Sequence, residues 1–365
     1  MKFKIPHIAL LLLIVTTVGV SAQDIQFSQF YAAPLRLNPA LLGIERSVTF
    51  GANVRRQETN LDDPADIIHA FAMVPFFKGG PGQNQLGGVG ISFLSSSSPV
   101  SVSSSLIPTN AAQGITENQS SIFLSGAFNM PLKFDGSEVI TFGAQVGFSQ
   151  IRYEEGDISS GIQNCSFCPD GRDESIDPTI PNFAGENVSY PTINVGVMYY
   201  FNPKKSYILL SGSAFSGITV SNINRPDETP FDDGEDRIPI NYQYQGGIEF
   251  FLLPKLKWTP TTIINYQNQD FQFNAGNYFS YNIGRNRGIS TQVSEIILGA
   301  WYRYRDAAII SAGYNRASWG VGFSYDFNAS FLGSEKSALG PALELSLSYR
   351  IIKDKALRTF STPLL

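Results

Sequence analysis

Again and again the chain spells short segments in which apolar and polar residues alternate. Near the end, Trp319, Val321, Phe323, Tyr325 and Phe327 alternate with Gly320, Gly322, Ser324 and Asp326. Leu343, Leu345, Leu347, Tyr349 and Ile351 then alternate with Glu344, Ser346, Ser348 and Arg350. Side chains two positions apart leave a strand on the same side, so each segment has one greasy and one polar face. A soluble sandwich could use that pattern by turning its apolar faces inward. A membrane barrel could use it by turning them to lipid and its polar faces to the lumen.

The N-terminus narrows the choice. Lys2 and Lys4 precede an apolar run, Ile8 to Val18, and Val20-Ser21-Ala22 offers small residues for a signal peptidase, so the mature chain is expected to start at Gln23. No Cys stands at that site to take a lipid anchor. Downstream there is no apolar run of about 18 residues, the length of a transmembrane helix. The mature protein is therefore expected to be soluble outside the cytoplasm or to be an outer-membrane barrel. Loss of the two leader lysines leaves 24 basic against 31 acidic residues, a charge of −7, which gives nucleic acid no basic face to bind. Abundant Phe, Tyr and Gly with scarce Lys suit barrel strands with aromatic belts.

Alternation and turn residues predict about 14 strands. They run from Glu45 to Gln57, Asp66 to Phe77, Leu86 to Ser97, Gln119 to Pro131, Ser137 to Arg152, Pro191 to Phe201 and Ser206 to Ile218. The rest run from Ile238 to Phe251, Leu256 to Tyr266, Gln269 to Tyr281, Gln292 to Tyr304, Ala307 to Arg316, Ser318 to Phe327 and Pro341 to Ile352. Among the first eight connections, the second, fourth, sixth and eighth are short. The third, fifth and seventh are long (Ser98 to Asn118, Tyr153 to Tyr190, Thr219 to Arg237). A barrel with short periplasmic turns and long external loops has that segregation, and an even strand count returns both termini to the periplasm. Phe76-Phe77, Tyr199-Tyr200-Phe201 and Phe250-Phe251 close strands just before short turns, where an aromatic belt would meet headgroups. The short turns carry Lys78, Lys133, Lys204, Lys205 and Lys255, whereas the long loops are acidic. Those acids read as a solvated outer surface. Asp232, Asp233, Glu235 and Asp236 could offer calcium oxygens, but their spacing matches no defined loop.

Before the first strand stands Gln23-Asp24-Ile25-Gln26-Phe27-Ser28-Gln29-Phe30-Tyr31-Ala32-Ala33-Pro34-Leu35-Arg36-Leu37-Asn38-Pro39-Ala40-Leu41-Leu42-Gly43. A free periplasmic arm this apolar would be a sticky patch. Phe27, Phe30, Tyr31, Pro34, Leu37, Asn38 and Pro39 are therefore expected to plug the periplasmic mouth of the barrel or to dock a partner there. The same residues resemble the mature start of the PorP/SprF family of the type IX secretion system of Bacteroidota, which opens with Gln-Asp, then Gln-Phe-Ser-Gln, then Leu-Asn-Pro-Ala before a Gly. Gly322-Phe323-Ser324-Tyr325-Asp326 and Leu345-Ser346-Leu347-Ser348-Tyr349-Arg350 look like that family's C-terminal hallmarks. The tail departs from the pattern of many outer-membrane proteins, because Lys353 to Leu365 runs past the last strand and ends without an aromatic residue.

The resemblance implies a non-enzymatic outer-membrane component of the secretion and gliding machinery. Its partners would be that machinery on the periplasmic side and the C-terminal sorting domain of a secreted surface adhesin, which it anchors or helps export. The competing function is a porin or plugged transporter for small or hydrophobic solutes. The expected layout is a signal peptide over 1–22, a plug or docking segment over 23–44, a transmembrane β-barrel over 45–352 and a periplasmic tail over 353–365. No catalytic residue, cofactor or metal is expected. Cys165 and Cys168, in the longest loop, read as a small disulfide, since neither a thioredoxin-like helix start nor further zinc ligands accompany them. His69, the sole histidine of the mature chain, has no Ser or Asp at triad-like spacing. Inward polar positions include Asn241, Gln243, Gln245 and Glu249, and the charges Glu295, Arg303, Arg305, Glu344 and Arg350 are expected to pair if the lumen is closed.

Overall fold

The computed structural model describes residues 26–44, 47–57, 64–77, 85–99, 115–133, 137–155, 187–201, 212–228, 237–283, 294–304, 306–316, 318–328 and 341–351. Fourteen antiparallel strands form a closed barrel. They are β1 (Val48–Gln57), β2 (Ala65–Phe77), β3 (Gln85–Pro99), β4 (Ile115–Pro131), β5 (Glu138–Glu155), β6 (Asn187–Phe201) and β7 (Ser213–Ser221). The second half is β8 (Asn241–Leu253), β9 (Leu256–Gln267), β10 (Asp270–Asn282), β11 (Ser294–Arg303), β12 (Ala307–Arg316), β13 (Trp319–Asn328) and β14 (Ala342–Ile351). Each strand pairs with its neighbours in sequence, and β1 pairs with β14 from Val48↔Ile351 to Gln57↔Ala342, which closes the sheet. Closure leaves the membrane-spanning part of the wall without sheet edges, the condition for strands to stand in hydrocarbon.

The period-two pattern points outward as the sequence predicts. Leu124, Phe128, Val146, Phe148, Ile218, Leu298, Leu345 and Leu347 are exposed on the outside, while Asn53, Thr141, Gln145, Gln245, Asn274 and Ser324 are buried on the inside. Aromatic residues ring the outside at both ends. Phe50, Phe76, Tyr199, Phe250, Tyr281, Trp319 and Tyr349 stand at the end where β1 starts and β14 finishes, and Tyr242, Tyr266, Phe271, Tyr304 and Phe327 at the other. An apolar band between aromatic girdles is the surface of a membrane barrel. Tyr200 departs from the expected belt by facing the lumen, where it is buried.

The first end is called here the turn end and the opposite one the loop end. The expected segregation of connection lengths holds through β8 and then breaks. β9 and β10 meet at the loop end in a tight hairpin with Asn268 at φ 44° and Gln269 at φ 70°, the positive pair a two-residue hairpin demands. At the turn end, β10 and β11 are joined by the longer connection 283–293. β7 is described from Ser213, and the earlier part of the predicted strand, 206–211, lies outside the described residues.

β3 to β6 are 15 to 18 residues long. About 9–11 residues suffice to cross a bilayer, so these four run past it. Outward positions at their loop end turn polar: Ser120, Gln150, Arg152, Asn187 and Ser189 are exposed. The rim is therefore raised on one side.

Leu124, 66% exposed near the middle of the apolar band, gives a test of the lipid-facing assignment. Leu124→Arg is expected to lower unfolding free energy in lipid vesicles by about 2–4 kcal/mol, and Leu132→Arg, at the strand end, by about 1 kcal/mol or less. Urea titration of the two variants checks the difference.

Candidate functional site

The lumen is occupied by the chain's own N-terminal segment. Residues 26–44 form three short helical turns, Phe30–Ala32, Pro34–Leu37 and Pro39–Gly43. Pro34 and Pro39 each stand at a first helical position, where no N–H is lost. Asn38 caps the last turn by accepting the Ala40 N–H at 2.8 Å. Turns this short leave most backbone groups without partners of their own, and buried polar groups need them. The barrel wall supplies them. The Ala32 carbonyl accepts from Asn53 Nδ2 (2.7 Å), that of Leu35 from Gln145 Nε2 (3.4 Å), that of Leu37 from Thr219 Oγ1 (3.0 Å) and that of Gly43 from Asn129 Nδ2 (2.6 Å).

Apolar contacts fix the orientation. Phe30, Leu37, Ala40 and Leu41 pack on Met198, Tyr200, Phe215, Ile263, Trp301 and Ile309. Leu35 and Leu42 pack on Phe71 and Met73, and Phe27 and Ala33 on Ile67, Leu94 and Phe123. Phe30 lies 5.0 Å from Trp301, and Tyr31 meets Tyr278 edge-on at 5.3 Å. One close approach depends on missing side chains. Gly143 and Gly196 face each other across β5 and β6, and a Cβ on them would come within 2.2 Å of Ala40 N and 2.0 Å of Asn38 Oδ1. The glycine pair is a notch that admits Asn38-Pro39-Ala40 against the wall.

A buried charge cluster holds the segment's beginning. The Ser28 and Gln29 backbone N–H groups donate to the two carboxylate oxygens of Glu344, at 2.6 and 3.1 Å. Ser28 Oγ donates to Asp326 Oδ2 at 2.6 Å and accepts from Arg55 Nη1 at 2.6 Å. Arg55 Nη2 lies 2.9 Å from Asp326, and Arg303 lies 2.9 Å from Asp306 and 3.7 Å from Asp326. The Gln29 side chain continues the grip, donating to the Glu344 carbonyl (3.1 Å) and accepting from Ser346 Oγ (2.6 Å). Closer to the turn end, Lys257 stands 3.5 Å from Glu249 and 3.3 Å from Glu295. Of the charges expected to pair, Glu295, Arg303 and Glu344 do so; Arg350 takes part in no ion pair among the described residues, and Arg305 lies outside them.

Between the segment and the loop end lies a cavity of about 710 Å³. Phe27, Phe30, Leu35 and Arg36 are among the residues of its floor, and its walls are mostly amides and hydroxyls such as Gln119, Thr192, Asn241 and Gln272. Its lining, a vestibule above the segment, reaches the loop end of the barrel.

Of the residues singled out in the sequence, Phe27, Phe30, Pro34, Leu37, Asn38 and Pro39 are buried in the lumen, and Tyr31 is half-buried there. Sequence reasoning named Glu344 as an inward charge but missed Ser28 and Gln29, both fully buried, and Arg55, Asp326 and Ser346, which also hold them. Bulky residues on otherwise polar sets, Met198, Ile263 and Ile309, were the available signal of something packed inside. His69 sits between Phe27 and Phe71, each 5.6 Å away, with Asn53 Nδ2 at 3.4 Å from its Nδ1. These neighbours give it no nucleophile to activate. Cys165, Cys168 and the acidic run from Asp232 to Asp236 lie outside the described residues, and among the described residues no group of three or more ligands could hold a metal.

Removing one member of the cluster leaves buried charge uncompensated. Asp326→Ala is expected to cost about 3–5 kcal/mol of barrel stability. Breaking the exposed pair of Arg56 and Asp66, 2.7 Å apart, by Arg56→Ala is expected to cost under about 1 kcal/mol. Denaturant unfolding in detergent compares the two.

Three solved structures are among those to which the chain is similar. The toluene transporter TbuX of Ralstonia pickettii is 9% identical with a TM-score of 0.44, over 88% of this chain and 94% of that one. The toluene transporter TodX of P. putida is 10% identical with a TM-score of 0.45, over 87% and 93%. The translocator domain of the autotransporter NalP from Neisseria meningitidis is 9% identical with a TM-score of 0.41, over 89% and 100%. No curated protein matches the chain. The family model described as type IX secretion system membrane protein PorP/SprF matches residues 19–349. Taken with the closed, lipid-faced barrel, that match covers nearly the whole chain: it belongs to the PorP/SprF family of type IX secretion system membrane proteins.

Proposed function

We propose that this barrel is a non-enzymatic anchor or export aid, which binds the C-terminal sorting domain of a secreted surface adhesin at its loop end. The observation that carries the reading is the filled lumen. A barrel whose interior is bonded and packed onto residues 26–44 is poorly suited to pass a polypeptide or a stream of solute through its centre. Its rims are then the surfaces left for work. In this reading residues 23–44 are the plug, both termini and the tail 353–365 are periplasmic, and the turn end meets the secretion or gliding machinery. The long loops and the vestibule face the exterior. Membership in a type IX secretion family supports an exported protein as the cargo.

A plugged transporter for small solutes is the second reading, favoured by the vestibule and its amide-rich walls. Deletion of the barrel separates the two. The anchor reading expects the surface adhesin to be lost from washed cells, whereas unchanged export and retention would contradict it. In planar bilayers the intact chain is expected to give no large stable open-channel current. Deleting residues 23–43, or displacing the segment with Gly196→Leu, is expected to raise conductance several-fold over the intact barrel by emptying a lumen of this strand number.

A further inference from the structure

The raised side of the rim ends in a step between β6 and β7. β6 pairs with β5 from Arg152↔Asn187 to Glu138↔Phe201. With β7 it pairs only from Val195↔Val220 to Phe201↔Ala214. Beyond Ser221 the chain leaves strand geometry, with Asn222 at φ 58° and Arg225 at φ 44°. Among the described residues none continues the ladder along Asn187–Pro191 on that side.

The direction of the unpaired groups follows from one hydrogen bond. The Ile223 N–H donates to the Ile193 carbonyl at 3.0 Å, so Ile193 turns its backbone groups to the side where β7 lies. Alternation gives Pro191, Ser189 and Asn187 the same direction. Pro191 has no N–H to leave unbonded there, the edge position at which proline is tolerated. Outward side chains along this stretch are Pro191, beside Phe148, and then Ser189 and Asn187, beside Gln150 and Arg152. From Ser189 to Asn187 the edge therefore stands beyond the apolar band, where unpaired backbone can meet water and not hydrocarbon.

A stand-in shows which chemistry the edge accepts. Asn224 Oδ1 accepts the Ile193 N–H at 3.0 Å, and Asn224 Nδ2 donates to the Pro191 carbonyl at 2.7 Å. That side-chain amide takes the N–H and the C=O that two successive peptide units of an added antiparallel strand would take. Edges of this kind recognise a partner's backbone by strand addition.

We propose that the open edge of β6, Asn187–Pro191, together with the Ile193 N–H that Asn224 now holds, takes an extended segment of the exported protein as an added antiparallel strand. The strand lies in line with β7 and displaces the Asn224 amide. This rests on the reading of the barrel as an anchor for an exported chain, and adds how the chain is held: by its main chain, at a raised rim outside the bilayer.

The test uses the full-length protein in cells that export an adhesin with a type IX sorting domain, and measures adhesin released to the medium against adhesin retained on washed cells. Ser189→Pro removes one edge donor and places a ring against the incoming strand. It is expected to raise the released-to-retained ratio about tenfold while the barrel keeps its heat-modifiable mobility in gels. Ser189→Ala keeps the backbone donor and is expected to stay within about twofold of wild type, as main-chain recognition requires. Wild-type retention in Ser189→Pro, with deletion of the barrel still abolishing retention, would overturn strand addition and leave the anchor reading standing. No effect of the deletion would overturn both. Failure of Ser189→Pro to fold would place the Ser189 N–H inside the barrel's own ladder and also overturn the inference. So would disulfide-linked barrel dimers from Ser189→Cys at wild-type retention, which would assign the edge to a second copy.

Discussion

A sheet that closes on itself in lipid must turn its polar face inward, and what fills that interior decides what the barrel can do. Here the filler is covalently the same chain. Residues 26–44 bring their own unsatisfied backbone groups, and inward Asn, Gln, Thr and Ser side chains bond them. The same segment brings apolar surface, which lands on the few bulky residues that interrupt the polar inner sets. Polar and apolar needs are met by one arrangement, so the segment has a single seat. An isolated peptide of this length could not hold three short helical turns; the wall holds them.

The charge cluster of Arg55, Arg303, Asp306, Asp326 and Glu344 follows from that occupancy. Buried ion pairs contribute little net stability over an apolar core, because desolvation offsets the attraction. They do discriminate between registers. Glu344 accepts two consecutive backbone N–H groups, and Ser28 Oγ sits between Asp326 and Arg55. A slip of one residue would take Ser28 Oγ away from Asp326 and Arg55 and leave the ion pairs with an unfilled polar site between them. The cluster is thus a positioning device for the segment's entry, and the Gly143–Gly196 notch positions its exit.

Much of the fold was legible because the bilayer is a simple solvent: period two with an apolar outer set leaves little room for another answer. Strand ends agree with the alternation to within a few residues over most of the wall, and Phe27, Phe30, Leu37 and Pro39 were identifiable because so apolar an arm has to be covered. What alternation hides is pairing at a distance. Arg55 reads as an ordinary polar strand residue until Asp326 and Glu344 arrive from β13 and β14. Gly143 and Gly196 read as strand glycines until Asn38 and Ala40 fill the space beside them. Connection lengths separate the two ends only through β8, because hairpin geometry sets the tight turn at Asn268-Gln269. The step beside β6 was hidden for a related reason: Asn222 and Arg225 leave strand geometry through backbone angles that alternation does not report.

Amide hydrogen exchange on the purified barrel in detergent tests the central claim most directly, that the first residues of the described chain are locked inside the cylinder. A segment bonded as Ser28 and Gln29 are, with both residues fully buried, is predicted to exchange as slowly as the flanking strands β1 and β14. Complete exchange of residues 26–43 within seconds, while those strands stay protected, would contradict it.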